Sequence, residues 1–224
     1  MRPITLVDAL ADIKLENVFN PYSQRCKRFD RRDAPRIRRE NLAAFLQAAM
    51  AEAVDTIWVA RDLGYRGGRR TGVPLTDEVH LNVAARTFQS LELFRATKGP
   101  ALGERTANII WRVISQLGKP VCLWNVFPLH PFEPGEQFSN RCHTRVERET
   151  CRPLLLELLS MLQIKDVIAV GRDAQEGLAE IGIAARKVRH PSYGGQAEFV
   201  DGICAIYGIP AVRHSGTQIS MFLD

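Results

Sequence analysis

From residue 54 onward the chain alternates short apolar runs with longer stretches in which apolar residues recur at helical spacing. "VDTIWVA" (54–60), "PVCLWNVF" (120–127), "DVIAVG" (166–171) and "ARKVRH" (185–190) read as four strands, each bounded by turn residues. Between and after them, "ERTANIIWRVISQLG" (104–118), stopped by Gly118, and "RVERETCRPLLLELLSMLQ" (145–163) read as helices, the second with Pro153 near its first turns. "DAQEGLAEIG" (173–182) and "GQAEFVDGICAIYG" (195–208) complete the series. Thr76-Asp77-Glu78 is expected to cap a further helix reaching about Leu93. Apolar strands alternating with helices predict an α/β fold of three layers, α/β/α, around a central four-stranded, mainly parallel sheet. With no internal repeat and no low-complexity linker, the expectation is one domain over residues 1–224. It has a basic, partly helical lead-in over 1–50 and an α/β core over 54–208. The tail "VRHSGTQISMFLD" has no assigned place.

Such a sheet locates the chemistry before any motif is invoked, because open α/β sheets bind ligands beyond the carboxyl ends of their strands. The first strand delivers Arg61-Asp62 and the loop "LGYRGGRRTGVPLT", the second Asn125, the third Gly171-Arg172-Asp173, and the fourth His190-Pro191-Ser192. A carboxylate can orient or deprotonate water and stabilise a cation. An amide donates and accepts at once, so it can read the edge of a base. A histidine can donate to a developing oxyanion. Taken singly, each also has a structural explanation: Asp62 as a cap or a partner for arginine, Asn125 and His190 as satisfied buried or loop polar groups. His130 is the rival histidine and His80 the weaker one. No covalent nucleophile stands out, and "GYRGGRRTG" lacks the Gly-Lys-Ser/Thr ending of a phosphate-binding P-loop.

Charge and cysteine content narrow the partner and the compartment. The chain of 224 residues is 46% apolar and 25% charged, with a formal net charge of +5, ordinary for a globular protein. The basic residues cluster in "RCKRFDRRDAPRIRR" (25–39) and "RDLGYRGGRR" (61–70), a pattern suited to phosphate contacts and equally available to a solvated basic face. No apolar run approaches the ~20 residues that span a bilayer, and the acid-bearing N-terminus does not read as a signal peptide. A cytoplasmic protein without membrane attachment is the expectation. Five scattered cysteines without a C-x-x-C pair argue against a disulfide framework and a tetrahedral zinc site.

At this point three motifs together resemble the uracil-DNA glycosylase superfamily. "ARDLGYRGGRRTGVPLT" resembles its first motif, with Asp62 at the position of the water-activating aspartate. "CLWNVFPLHP" resembles the strand whose asparagine reads uracil, pointing to Asn125. "HPSYGG" resembles the loop whose histidine, here His190, supports the departing base. The resemblance implies a monofunctional glycosylase that flips uracil out of single- or double-stranded DNA and hydrolyses its N-glycosidic bond, acting as a monomer in base excision repair with no metal or cofactor. It implies base contacts from Asn125, Leu75, Gly64 and Tyr65. DNA contacts are expected from Arg61, Arg66, Arg69, Arg70, Ser192, Tyr193, Gly194 and Gln196.

The chain departs from the family pattern in ways that, by the resemblance, mark an atypical bacterial member with mixed features of several branches, cytoplasmic and nucleoid-associated when acting on DNA. Leu75 stands where an aromatic ring usually stacks on the base, so Phe127 or Phe138 is a candidate substitute. Gly64 stands where one branch has a tyrosine that excludes the thymine methyl, leaving Tyr65 as the candidate for that role. The wedge entering DNA is expected at Tyr193 or Gln196. Cys151 resembles the last cysteine of the iron–sulfur branches, but the N-terminal pair is missing and no cluster is expected. The alternatives are a glycosylase for another deaminated base (hypoxanthine, xanthine or mismatched thymine), a non-catalytic uracil-DNA-binding protein, and a small-molecule N-glycoside hydrolase. The arginine clusters disfavour the last.

Overall fold

The computed structural model describes residues 2–210, and the C-terminal tail that resisted assignment lies outside them. The elements in chain order are α1 (Pro3–Ala11), β1 (Val18–Phe19), α2 (Ala34–Ala51), β2 (Thr56–Asp62), α3 (Gly68–Thr71), α4 (Leu81–Thr87) and α5 (Arg105–Leu117). They continue with β3 (Cys122–Phe127), β4 (His130–Pro131), α6 (Arg145–Met161), β5 (Asp166–Val170), α7 (Arg172–Glu180), β6 (Arg186–Val188) and α8 (Gln196–Tyr207). The four expected strands form one parallel sheet in the order β3-β2-β5-β6. β1 and β4 make a small antiparallel pair that the apolar pattern did not signal.

The registers explain why the strands read as unbroken apolar runs. Trp58 pairs with Leu123 and Ile168, and Val59 with Trp124 and Ala169, and all six are buried. Phe199 and Tyr207 of α8 pack on Trp58. Gly177 of α7 lies against Val126, which shares its face with Val59 rather than Trp58. Helices therefore cover both faces, and neither face of the sheet can carry the polar alternation of a half-exposed strand.

Residues before 54 are more than a lead-in. Leu6, Leu10, Leu42 and Phe45 of α1 and α2 belong to the same buried cluster as the sheet. α2 also grips the loop after β2. Its buried Arg38 donates from Nε to the Arg70 carbonyl at 3.1 Å and pairs with Asp30, while Asn41 Nδ2 donates to the Thr71 carbonyl at 2.8 Å. Tyr22 Oη donates to the Gly72 carbonyl at 2.9 Å. Gly72 has φ of +79°, and a Cβ there would strike the Arg38 backbone, so both its handedness and its closeness to α2 require glycine.

Three expectations are corrected. The helix after the loop is confined to Leu81–Thr87, and Thr76, Asp77 and Glu78 do not cap it. Their side chains are buried and committed elsewhere: Glu78 accepts from Arg70 Nε at 2.9 Å, Asp77 bonds His80, and Thr76 Oγ1 accepts from Trp111 Nε1 at 3.1 Å. Pro153 lies in the middle of α6 rather than near its start, on an exposed face where water can take the carbonyl left without its N–H partner. β6 ends at Val188, so His190 stands two residues beyond the strand. Among the described residues, no helix is long and apolar enough to cross a membrane.

Candidate active site

Chain order and strand order part company between β2 and β5. From β2 the chain crosses to β3 on one side, then returns to β5 on the other. That reversal opens a crevice at the carboxyl edge, and a cavity of about 450 Å³ occupies it. Ala60 to Gly64 at the end of β2, Leu75, Glu104 and Thr106 at the start of α5, and Asn140 and Arg141 line it. So do Gly171 to Asp173 after β5 and Arg189, His190, Ser192 and Tyr193 after β6.

Asp62, the last residue of β2, is held from two sides. Its Oδ1 accepts from Nδ1 of His143 at 2.5 Å and its Oδ2 from Nε of Arg61 at 2.6 Å. Arg61 reaches on to Asp173 Oδ2 at 2.5 Å, so this guanidinium ties the ends of β2 and β5 together. Two charge-assisted bonds fix the carboxylate's orientation, and lone pairs remain on both oxygens for a further proton donor.

His190 is prepared differently. Its Nδ1 accepts from the Ser192 backbone N–H at 3.2 Å and lies 2.7 Å from Ser192 Oγ. A ring nitrogen that accepts a backbone N–H carries no proton, so the neutral ring holds its proton on Nε2. Burial, and then the positive charges of Arg61 and Arg189, lower its pKa to about 4. His190 is thus a neutral donor across the physiological range.

Asn125 stands in register with Ala60, which lines the cavity. Its Nδ2 donates to the Asp62 carbonyl at 2.9 Å, and its buried Oδ1 has no hydrogen-bond partner among the described residues. An unmade bond at a buried acceptor costs about 1–3 kcal/mol, and a ligand N–H would remove that cost.

The other expected site residues divide. Leu75 (φ +54°) and Gly64 line the cavity. Tyr65 and Arg66 sit at an adjoining hollow of about 320 Å³, with Arg66 Nε donating to Tyr65 Oη. Phe127 is buried against His143, and Phe138 packs with Phe29 and Tyr65, so neither lines the cavity. Tyr193 is 94% exposed, with φ of +49°. Gly194 follows it with φ of +79°, and Gln196 opens α8.

Arg69 and Arg70 are corrections. Both are buried and so offer no surface to a phosphate. Arg69 stacks on Phe19 with 4.0 Å to the ring centre and bonds His130 Nδ1 at 3.0 Å, and its burial lowers its pKa to about 10. Arg70 stacks on Phe29 and pairs with Glu78. His130, the rival histidine, is spent in this packing, its pKa lowered to about 3 by burial and by Arg69.

Sequence reasoning passed over His143, Glu104, Asn140 and Arg141. A signal existed for His143. "TRVE" (144–147) forms a capping box in which Glu147 N–H donates to Thr144 Oγ1 at 3.2 Å and Thr144 N–H donates to Glu147. Arg141 also pairs with Glu147. The box pins the start of α6 and so fixes the histidine just before it. Cys142 and His143 stand close enough to Asp62 for their ligand atoms to lie within 4.8 Å of one another. Arg61, bonded to that carboxylate, opposes a cation there.

Neither a protein-family model nor a curated protein sequence matches the chain. Among solved structures, it resembles the crystal structure of wild-type SMUG2 from Pedobacter heparinus. The TM-score is 0.61 at 12% identity, covering 91% of this chain and 97% of that one. At that identity the likeness establishes the architecture, and the fold is uracil-DNA glycosylase-like.

Proposed function

We propose that this protein is a monofunctional DNA glycosylase that hydrolyses the N-glycosidic bond of a deaminated base, uracil first among them, and so initiates base excision repair. The observation that carries the reading is the pairing of an oriented carboxylate, Asp62, with a neutral N–H donor, His190, around one cavity at the switch point of a glycosylase-like sheet. An extruded nucleotide enters the cavity at a cost of a few kcal/mol for unstacking. As the C1′–N bond stretches, the sugar becomes cationic and the base anionic. Asp62 stabilises the cation and takes a proton from the water that bonds to C1′. His190 Nε2–H donates to the base oxygen that receives the electron pair, a contribution of about 3–4 kcal/mol where such donors have been deleted. Asn125 Oδ1 accepts the ring N–H. His143 acts through Asp62, as a positioning residue.

The surface complements this role. Exposed Arg172 and Arg189 stand at the rim, where phosphate contacts supply salt-sensitive affinity. Tyr193 beside them is placed to enter the helix as the base leaves it. Bare Gly64 and the aliphatic Leu75 leave the pocket walls less committed to pyrimidines, which favours a second reading as a glycosylase for hypoxanthine or xanthine. A panel of labelled oligonucleotides carrying uracil, hypoxanthine, xanthine or mismatched thymine, single-stranded and duplex, tests both. Alkali-labile sites at uracil support the first reading and sites at a purine the second. Intact strands throughout leave a binding protein.

A further inference from the structure

Among the described residues, two cavity-lining acids stand outside the proposed mechanism: Asp173, which is paired with Arg61, and Glu104, which has no such partner. It occupies the N-cap position of α5, yet its side chain accepts no bond from the helix. Only its backbone is engaged, donating to Asp77 Oδ2 at 2.5 Å. The carboxyl group instead lies over the glycine loop. A Cβ on Gly64 would come within 3.0 Å of Glu104 Oε1, and one on Gly67 would overlap Oε2. Two glycines thus make room for this one carboxyl, which forms a wall shared by the 450 Å³ cavity and the 320 Å³ hollow beside it. No described residue donates a hydrogen bond to it.

We propose that Glu104 selects the base, its neutral carboxyl donating O–H to a carbonyl of the extruded base and its ionised form repelling that carbonyl. The inference rests on the glycosylase reading and names the chemistry selected: bases carrying a carbonyl beside a ring N–H, the group that deamination creates. The surroundings favour the neutral form. Burial, and then the Asp77 carboxylate, raise the Glu104 pKa to about 7, against a smaller opposing pull from Arg66. The α5 N-terminus also favours the ionised form. Arg105 lines the hollow on one side; Asp62, Arg61, Arg141 and His190 line the cavity on the other. His190, already neutral well below this range, does not titrate with Glu104.

The test compares wild type, Glu104→Gln and Glu104→Ala between pH 6 and pH 8.5, where a group with a pKa near 7 passes from mostly protonated to about 3% protonated. The probe is a single-stranded oligonucleotide with one 2′-fluoro-2′-deoxyuridine, which resists cleavage. Its affinity is divided by that for the same strand with a tetrahydrofuran abasic analogue, so general DNA binding cancels. For wild type the ratio falls about tenfold as the pH rises. Glu104→Gln, a permanent neutral donor, keeps a high ratio at both ends, and Glu104→Ala has a low ratio throughout. Wild type and Glu104→Gln following the same curve, or Glu104→Ala retaining the wild-type ratio at pH 6, overturns the proposal. A ratio of one for wild type at every pH, with no excision of uracil, overturns the glycosylase reading itself.

Discussion

The loop after β2 and the loop after β6 look alike as text, each carrying a tyrosine, a glycine pair and a proline beyond a strand end. In the folded protein they are opposites. The first, residues 63–76, turns two of its three arginines inward: Arg69 lies over Phe19 and Phe138 and Arg70 over Phe29, and Arg38, Asn41 and Tyr22 hold its carbonyls. The second, residues 190–195, turns outward, with Tyr193 almost fully in solvent, and is held internally by His190 on Ser192 and by the Gly195 N–H, which donates to the Ser192 carbonyl at 3.0 Å. One loop is shaped by the protein for the cavity, and the other is offered to a partner. Clustered arginine does not mark the loop that faces outward, because a guanidinium serves equally as a phosphate ligand and as a planar buried donor.

Substitutions should separate the loops by what they damage. Arg70→Met in the inward loop removes one of the two guanidinium partners of buried Glu78, leaving Arg95 at 3.6 Å and the Leu102 N–H at 3.0 Å. A loss of about 1–3 kcal/mol is expected, read as a fall in melting temperature of several degrees. His190→Ala in the outward loop is expected to lower single-turnover excision of uracil about 10²- to 10³-fold with little change in melting temperature. Equal melting losses in both variants would erase the distinction.

A smaller effect concerns acid. His190 has a folded-state pKa of about 4, below its unfolded value of 6.5. The unfolded chain therefore binds more protons in that window, and stability falls as pH drops through it. His190→Gln removes this contribution, so the variant resists acid unfolding between pH 6.5 and 4 better than wild type, as followed by circular dichroism. Tyr193→Ala should do least. Stability stays within about 0.5 kcal/mol, while affinity for a uracil-bearing duplex falls a few-fold and that for the single strand does not. A single-strand loss of the same size would remove the wedge role.

Much of this was readable from the residues. The four strands, the parallel sheet and the placement of Asp62 and His190 at its carboxyl edge follow from apolar runs and turn residues, which are local signals. What escaped depends on distant partners. His143 meets Asp62 across 81 positions, and nothing near either residue announces the pairing, although the capping box of α6 marks where the histidine must stand. Asp77 and Glu78 looked like helix-capping acids because a cap is the local use for them. Their actual partners, among them Arg70 and the backbone at 102 and 104, come from elsewhere in the chain. Glu104 was placed correctly at a helix start, but its direction depends on Gly64 and Gly67 giving it room.

The grip of α2 on the loop at Gly72 bears on how far the protein can be trimmed. A fragment beginning at residue 54 retains all four strands of the parallel sheet and every group assigned to the chemistry. It loses Arg38, Asn41 and Tyr22, the clamps that shape the backbone beneath Leu75. The segment before residue 54 therefore serves the core and the cavity at once, and a boundary drawn at the first strand of the parallel sheet would remove both contributions.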